Sequence, residues 1–322
     1  LFTNAFTFTT MPANNTTLNA KWIINQHTIT FNTDGGTNIP ALIQEYGSNI
    51  VSPSNPTKIG YTFTGWDTSI PTTMPDNDVT INANYSVNSY VLEFVDYQGT
   101  VLQTANYNFG TDLSAVTAPS DPSRTGYTFT GWDTLVPATM PASDVTITAE
   151  YTINQYTITF NSNGGTSVTA ITQDYNTSVS APADPTRTGY TFGGWYSDAG
   201  LTSAYTFTTM PANNITVYAK WNINQYTITF NSNGGTSVTA ITQNYNTSVS
   251  APTDPTRTGY TFGGWYSDAG LTSAYTFTTM PAQNITLYAK WTVNQYTLEY
   301  VDWDGTTVLQ TADYNFGADL SG

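Results

Sequence analysis

The sequence predicts a mainly β protein built as a tandem array of small modules. Three observations carry that prediction. Asn224–Val293 copies Asn154–Ile223 at a period of 70 residues with six changes: Asp174/Asn244, Ala183/Thr253, Asn213/Gln283, Val217/Leu287, Asn222/Thr292 and Ile223/Val293. A fixed period of this length marks a repeat architecture. Inside the repeat, apolar and polar residues alternate, as in Tyr156-Thr157-Ile158-Thr159-Phe160, which is the period of a half-buried strand. No segment carries the 3.6-residue apolar period of an amphipathic helix.

An Asn-Gln-Tyr start divides the chain. Residues 1–24 are the C-terminal half of a repeat, and 25–87 are a repeat of mixed type. Residues 88–153 are a short-type repeat, 154–223 and 224–293 are long-type repeats, and 294–322 are the N-terminal half of another. By subtraction the complete repeats hold 63, 66, 70 and 70 residues. Leu1 already sits inside a repeat, so the lack of a signal peptide is expected of a fragment. The junction Trp221-Asn222-Ile223-Asn224-Gln225-Tyr226 has no Gly/Ser tract. Neighbouring repeats are therefore expected to have restricted orientations.

Within 154–223 the elements follow in order. Tyr156–Phe160 is the first strand, with Tyr156, Ile158 and Phe160 facing the core. Asn161-Ser162-Asn163-Gly164-Gly165 is a turn whose Asn-Gly accepts positive φ. A second strand is expected within Ser167–Gln173, then a short helical turn between Asn176 and Ala181. Pro182 and Pro185 punctuate a loop. Gly189–Trp195 is the third strand, and its glycines predict a bulge or a close backbone approach. Tyr205-Thr206-Phe207 is expected to be a fourth strand. Ile215–Trp221 is the last, with Ile215, Val217, Ala219 and Trp221 on one side.

Eleven aromatic residues fall in this repeat, and each buried ring removes roughly 150–250 Å² from water. Tyr156, Phe160, Tyr190, Phe192, Trp195 and Trp221 are the expected structural core. They supply what a chain of this size otherwise lacks without disulfides. The mixed and short repeats are trimmed in one place. Trp195 to Met210 spans 15 positions, whereas Trp66 to Met74 and Trp132 to Met140 span 8. That difference removes a hairpin excursion and keeps the flanking Trp and Met-Pro.

Composition excludes several functions. The 322 residues include 7 Lys+Arg, 22 Asp+Glu and no Cys, for a net charge of −15. Such a charge repels nucleic acid and anionic membrane surfaces. No apolar run reaches the roughly 18 residues of a membrane span. Without Cys there is no disulfide and no thiolate metal site. Aromatics are 14% of the chain and charged residues 9%, which places it outside the disordered class.

Phe160-Asn161-x-Asn163-Gly164-Gly165, Pro185-Thr186-Arg187-x-Gly189-Tyr190-x-Phe192-x-Gly194-Trp195 and Val217-Tyr218-Ala219-Lys220-Trp221 resemble the Listeria–Bacteroides repeat, the B-repeat type found in internalin B. The resemblance recurs in every complete repeat. The opening Val95-Asp96-Tyr97-Gln98-Gly99-Thr100 is also similar to mucin-binding-protein repeats. Asn84-Tyr85 and Glu150-Tyr151 depart from the pattern where Lys-Trp is expected. The resemblance implies β-grasp-like modules in large secreted bacterial surface proteins, and it carries no catalytic residue.

The residues themselves offer little chemistry. His27 is the only His and replaces a Tyr of the other repeats, which leaves no His/Cys metal site and no Ser/His/Asp site. Asp302-Trp303-Asp304-Gly305 has some features of a calcium loop but lacks the remaining ligands. It reads as a hairpin turn. Lys220 and Lys290, among many Asn, are candidates for isopeptide crosslinks; the alternative is a Lys on the solvent face of an edge strand. Tyr196, Tyr205, Trp303 and Tyr97 are the candidate glycan contacts. Sequons such as Asn176-Thr177-Ser178 and Asn214-Ile215-Thr216 are expected by composition alone.

The expected function is an extracellular stalk, spacer and adhesive segment of a bacterial cell-surface protein, with no enzyme activity and no cofactor. A module of this size has a radius of gyration near ~11 Å, so several in series form a rod well over ~100 Å long. One alternative is a multivalent array binding glycans, mucins or neighbouring cells. Another is self-association, in which one molecule's last strands complete the next molecule's first part-repeat by strand addition.

Overall fold

The structure is a computed structural model describing residues 5–7 and 9–321; residues 1–4 and 8 of the first part-repeat and Gly322 of the last lie outside the described residues. It is all-β, with no helix among the described residues. The chain divides into two compact units, Leu1–Thr152 and Ile153–Gly322.

The first unit holds two four-stranded sheets. β1 (Gln26–Asn32), β2 (Leu42–Glu45), β3 (Tyr61–Trp66) and β4 (Val79–Val87) lie in the order β2-β1-β4-β3. β5 (Ser89–Val95), β6 (Val101–Asn108), β7 (Tyr127–Trp132) and β8 (Val145–Ile153) lie in the order β6-β5-β8-β7. The second unit repeats the pattern with β9 (Gln155–Asn161), β10 (Ile171–Asp174), β11 (Tyr190–Tyr196) and β12 (Ile215–Ile223), ordered β10-β9-β12-β11. β13 (Gln225–Asn231), β14 (Ile241–Asn244), β15 (Tyr260–Tyr266) and β16 (Ile285–Val293) do the same. β17 (Gln295–Val301) and β18 (Val308–Asn315) form a two-stranded sheet.

One module explains all four. β9 and β10 pair antiparallel, with Ile158 opposite Ile171. β9 also pairs parallel with β12, running from Ile158 opposite Ile215 to Asn161 opposite Tyr218. A parallel pair needs a long crossover, and residues 162–214 supply it. The first and last strands of the module are thus neighbours at the centre of its sheet. β11 closes the far edge against β12, and its register shifts between Phe192 and Trp195. Gly194, at φ +100°, allows that bulge.

One face of the sheet carries the core. Ile158, Val179, Met210, Val217 and Ala219 are buried with Phe160 and Trp195. Tyr156, Phe192, Tyr205, Phe207 and Trp221 are half-buried around them. The centre is therefore largely aliphatic and thioether, and most rings form its rim. Tyr190 is not part of this cluster; its ring meets Tyr245 of the following module at 6.1 Å. The same buried row recurs as Ile29, Met74 and Ile81; as Leu92, Met140 and Ile147; and as Ile228, Met280 and Leu287.

Three expectations need correction. Tyr205–Phe207 is not a ladder strand. It is held by isolated contacts: the Tyr205 N–H donates to the Trp195 carbonyl at 2.8 Å, and bridges join Tyr196 to Ala204 and Ser178 to Thr209. The segment lies along the outer edge of β11 but bonds to it only around Trp195–Ser197, too briefly to form a ladder. The expected helical turn after Asn176 is a tight turn instead, with Asn176 at φ 61°. Lys220 lies on β12, an inner strand rather than an edge.

In β5, Phe94 is 1% exposed because β8 lies alongside. The β17–β18 pairing resembles β5–β6.

Candidate functional site

The chemistry the modules can perform follows from which groups their strands bring together. Among the described residues, no group of three or more His, Asp or Glu side chains is placed to hold a metal ion. His27 Nδ1, on β1, lies 3.9 Å from Asp78 Oδ1. Asp302 and Asp304 act as turn formers. Asp304 Oδ1 accepts the Thr306 N–H at 2.9 Å and its hydroxyl at 2.7 Å, and Gly305 takes φ +75°. A hydrogen bond shared with the Asp302 carboxyl, then those from Thr306, lowers the Asp304 pKa to about 2.

The four candidate glycan rings have different surroundings. Trp303, on the β17–β18 turn, is 97% exposed. Tyr97 is partly exposed, but its ring meets Tyr151 edge-on at 5.8 Å and the Arg124 guanidinium lies 3.9 Å above it. Tyr196 is half-buried beneath Lys220, whose Nζ lies 4.8 Å from the ring centre and donates to the phenol oxygen at 3.3 Å. Tyr205 packs edge-on against Phe207 at 5.0 Å, and burial raises its phenol pKa.

The cations form a recurring pattern that residue-by-residue reading missed. Lys58 sits over Tyr61 at 4.6 Å, Arg124 over Tyr127 at 3.6 Å, Arg187 over Tyr190 at 4.0 Å and Arg257 over Tyr260 at 3.9 Å. Lys220 and Lys290 each sit over the Tyr of the neighbouring strand. Six of the seven basic residues are thus placed on a ring, each worth ~0.5–1 kcal/mol when exposed. The signal was present in the sequence as Lys/Arg three residues before Tyr in every complete repeat.

The remaining polar side chains mostly close turns. Asp198 accepts the N–H groups of Ser203 at 2.8 Å and Thr202 at 3.2 Å, and the Ser203 bond is the main cause of its lowered pKa. Of the sequon residues, Asn214 uses its side-chain oxygen to accept the Thr157 N–H at 2.8 Å. Trp221 Nε1 donates to the Ser162 carbonyl at 2.9 Å, tying the last strand to the first turn. The Nε1 of Trp195 is buried without a hydrogen-bond partner.

Comparison with known proteins places these modules. The Listeria-Bacteroides repeat domain model matches residues 27–89, 156–220 and 226–290, more than half of the chain. The divergent InlB B-repeat domain model matches residues 90–155, the module for which the sequence suggests a likeness to mucin-binding repeats; the match is to the B-repeat and does not show that finer resemblance. A protein of Evansella cellulosilytica described as a Gly-rich membrane protein is 34% identical over 93% of this chain and 37% of its own length. A second membrane protein of that organism is 32% identical over 95% of this chain and 38% of its own length. Internalin H of Listeria monocytogenes is 39% identical over 53% of this chain and 31% of its own length. The chain therefore spans well under half of each of these relatives. Streptococcal SHIRT domains 3-4 from a cell surface protein match 40% of this chain and 99% of that chain at 20% identity. Their TM-score of 0.16 is too low to carry an argument.

Proposed function

The chain belongs to the Listeria-Bacteroides repeat family, and from that premise we propose that it is a tension-bearing stalk or spacer segment of a bacterial cell-surface protein. The observation that carries this reading is the central parallel pair of each sheet. The chain enters a module at the start of its first strand and leaves at the end of its last. Those strands are parallel neighbours in all four complete modules. A pull on the two ends therefore slides one strand along the other and loads their shared hydrogen bonds together. It does not peel an edge strand one bond at a time. Resistance to force is a matter of the unfolding barrier, and this geometry raises it.

The same strand order, with first and last strands central and parallel, supports a β-grasp-like reading of each module without the helix. The names of the relatives, membrane proteins and an internalin, support a surface location. Single-molecule pulling of the whole chain tests the proposal. Four discrete steps are expected, each releasing on the order of 200 Å at ~3.3–3.6 Å per residue. Smooth extension at low force rules out the tension-bearing role. Small-angle scattering tests the rod: a maximum dimension below ~100 Å contradicts it.

A second reading, weak multivalent glycan binding, has one observation in its favour. An open groove of about 580 Å³ in the 224–293 module is lined by Asp268, Tyr275, Gln283, Thr286 and Tyr288, a mix of rings and hydrogen-bonding groups. Tyr275 is the counterpart of Tyr205. Binding on a glycan array that is lost in Tyr275→Ala supports this reading, and a silent array removes it.

A further inference from the structure

The junctions inside each compact unit share one construction, and it involves residues from both neighbouring modules. At the end of β2, β6, β14 and β18 comes an aromatic residue. Three of these rings lie against a glycine of the preceding module. Phe109 covers Gly60, Tyr245 covers Gly189 and Phe316 covers Gly259, so closely that a Cβ on any of these glycines would collide with the ring. The glycines take φ +77°, +80° and +79°, a region open to Gly and strained for other residues. The Tyr after each glycine meets the incoming ring edge-on: Tyr61–Phe109 at 5.8 Å, Tyr190–Tyr245 at 6.1 Å and Tyr260–Phe316 at 6.2 Å.

An asparagine ties the two sides together. The N–H groups of Asn88, Asn224 and Asn294 donate to the carbonyls of Gly60, Gly189 and Gly259, each at 2.9 Å. Their carbonyls accept the N–H groups of Phe109, Tyr245 and Phe316, each at 2.8 Å. Their side-chain oxygens accept the hydroxyls of Thr62, Thr191 and Thr261, each at 2.6 Å. Asn88 and Asn224 also donate through Nδ2 to Tyr90 and Tyr226. One residue thus bonds to the module before it and the module after it.

We propose that this glycine-floored socket with its asparagine latch is a module-to-module coupling site that makes adjacent repeats share stability. The socket takes Phe or Tyr. It joins mixed to short type at Gly60, long to long at Gly189, and long to the short-type opening at Gly259. Any repeat with the ring can therefore follow any repeat with the glycine. The proposal does not depend on the array bearing tension. A folded repeat offers its neighbour a finished binding surface, and repeat arrays gain stability from such nearest-neighbour terms.

Hydrogen exchange on the whole chain tests this, because the mutation can sit in one module and the effect be read in another. Tyr245→Ala is expected to lower amide protection in β11 and β12 of the preceding module by about tenfold, within the usual range of site-to-site coupling. Gly60→Ala is expected to cost more than Gly110→Ala. Both glycines have nearly the same φ, +77° and +78°, but a Cβ at Gly110 meets nothing within 4 Å. If Tyr245→Ala unfolds its own module outright, Thr191→Val removes only the latch hydroxyl and is read in β13 and β16. Loss of protection confined to the mutated module in both Tyr245→Ala and Thr191→Val overturns the proposal.

Discussion

The long-type modules and the mixed and short ones share a buried frame and finish its edges with different chemistry. In 154–223 the closing residue is Trp221, whose Nε1 donates to Ser162 and whose ring leaves no room for a Cβ at Gly165. In 25–87 Tyr85 occupies the corresponding place. Its hydroxyl donates to the Thr33 carbonyl at 3.2 Å, and it leaves no room for a Cβ at Gly36. In 88–153 Tyr151 donates to the Pro122 carbonyl and meets Tyr97, which lies where the other openings have their Gly-Gly turn. The other end of the last strand differs too. The long module continues the ladder to Tyr196 opposite Tyr218. The mixed one stops at Trp66, and the Asp67 carboxylate accepts the Asn82 N–H at 2.8 Å instead. The comparison teaches that a ring with one donor at the closing position, and any acceptor at the strand end, is enough. The buried row in between does not vary in kind.

Four experiments break or sharpen that comparison. The largest effect is expected from Trp221→Ala and Tyr85→Ala. Each removes a half-buried ring and a hydrogen bond, at roughly 3–5 kcal/mol for the Trp and somewhat less for the Tyr. The readout is hydrogen exchange in the mutated module, since a multi-module chain has no single two-state transition. Equal, near-zero costs would show that the closing ring is decoration.

Next comes a pair of matched changes. Trp221→Phe leaves the Ser162 carbonyl without its donor and is expected to cost about 1–2 kcal/mol. Trp195→Phe also shrinks a ring, at a more buried site, but it removes an indole N–H that has no partner. An unmet buried donor carries a penalty of about 1–3 kcal/mol, so this change is expected to be nearly neutral. Denaturation midpoints in the opposite order contradict the assignment.

Acid separates the two strand ends. The side-chain hydrogen bond from Asn82 is the main cause of the lowered Asp67 pKa, and the Ser203 N–H is the main cause for Asp198. A carboxylate with a depressed folded-state pKa adds stability above its ordinary value near 3.8 and loses it as pH falls through the folded value. Below about pH 4, exchange is expected to rise at Asn82 in the mixed module and at Thr202 and Ser203 in the long one. Asp198→Asn should abolish the second change and leave the first.

The smallest effect is expected from Lys220→Met, which removes a cation from the Tyr196 ring at a cost of ~0.5–1 kcal/mol. Adding salt should change it little, because the attraction is to a ring face and not to a carboxylate. A strong salt dependence measured by denaturation would point to an ion pair instead.

Much of the frame was legible in the sequence. Alternation marked β9 and β12, Asn163-Gly164 marked the first turn, and the glycines before Trp195 marked the bulge. Alternation does not name a partner, so the parallel pairing of first and last strands was invisible to it. The same limit explains Tyr205–Phe207, which alternates like a strand but meets the outer edge of β11 only around Trp195–Ser197. Tyr190 reads as an ordinary core ring until the following module supplies Tyr245. Among the candidate contact rings, exposure was the unreadable quantity. Tyr97 lies under Arg124 and against Tyr151, and Tyr196 lies under Lys220, covers that no local stretch of sequence names.

The methionines show a chemical consequence of the buried row. Met74, Met140, Met210 and Met280 are at most 1% exposed. Thioethers in solvent convert to sulfoxide under mild peroxide, and sealed ones wait for their surroundings to open. Under mild peroxide each of the four then keeps a record of how often its own module has breathed.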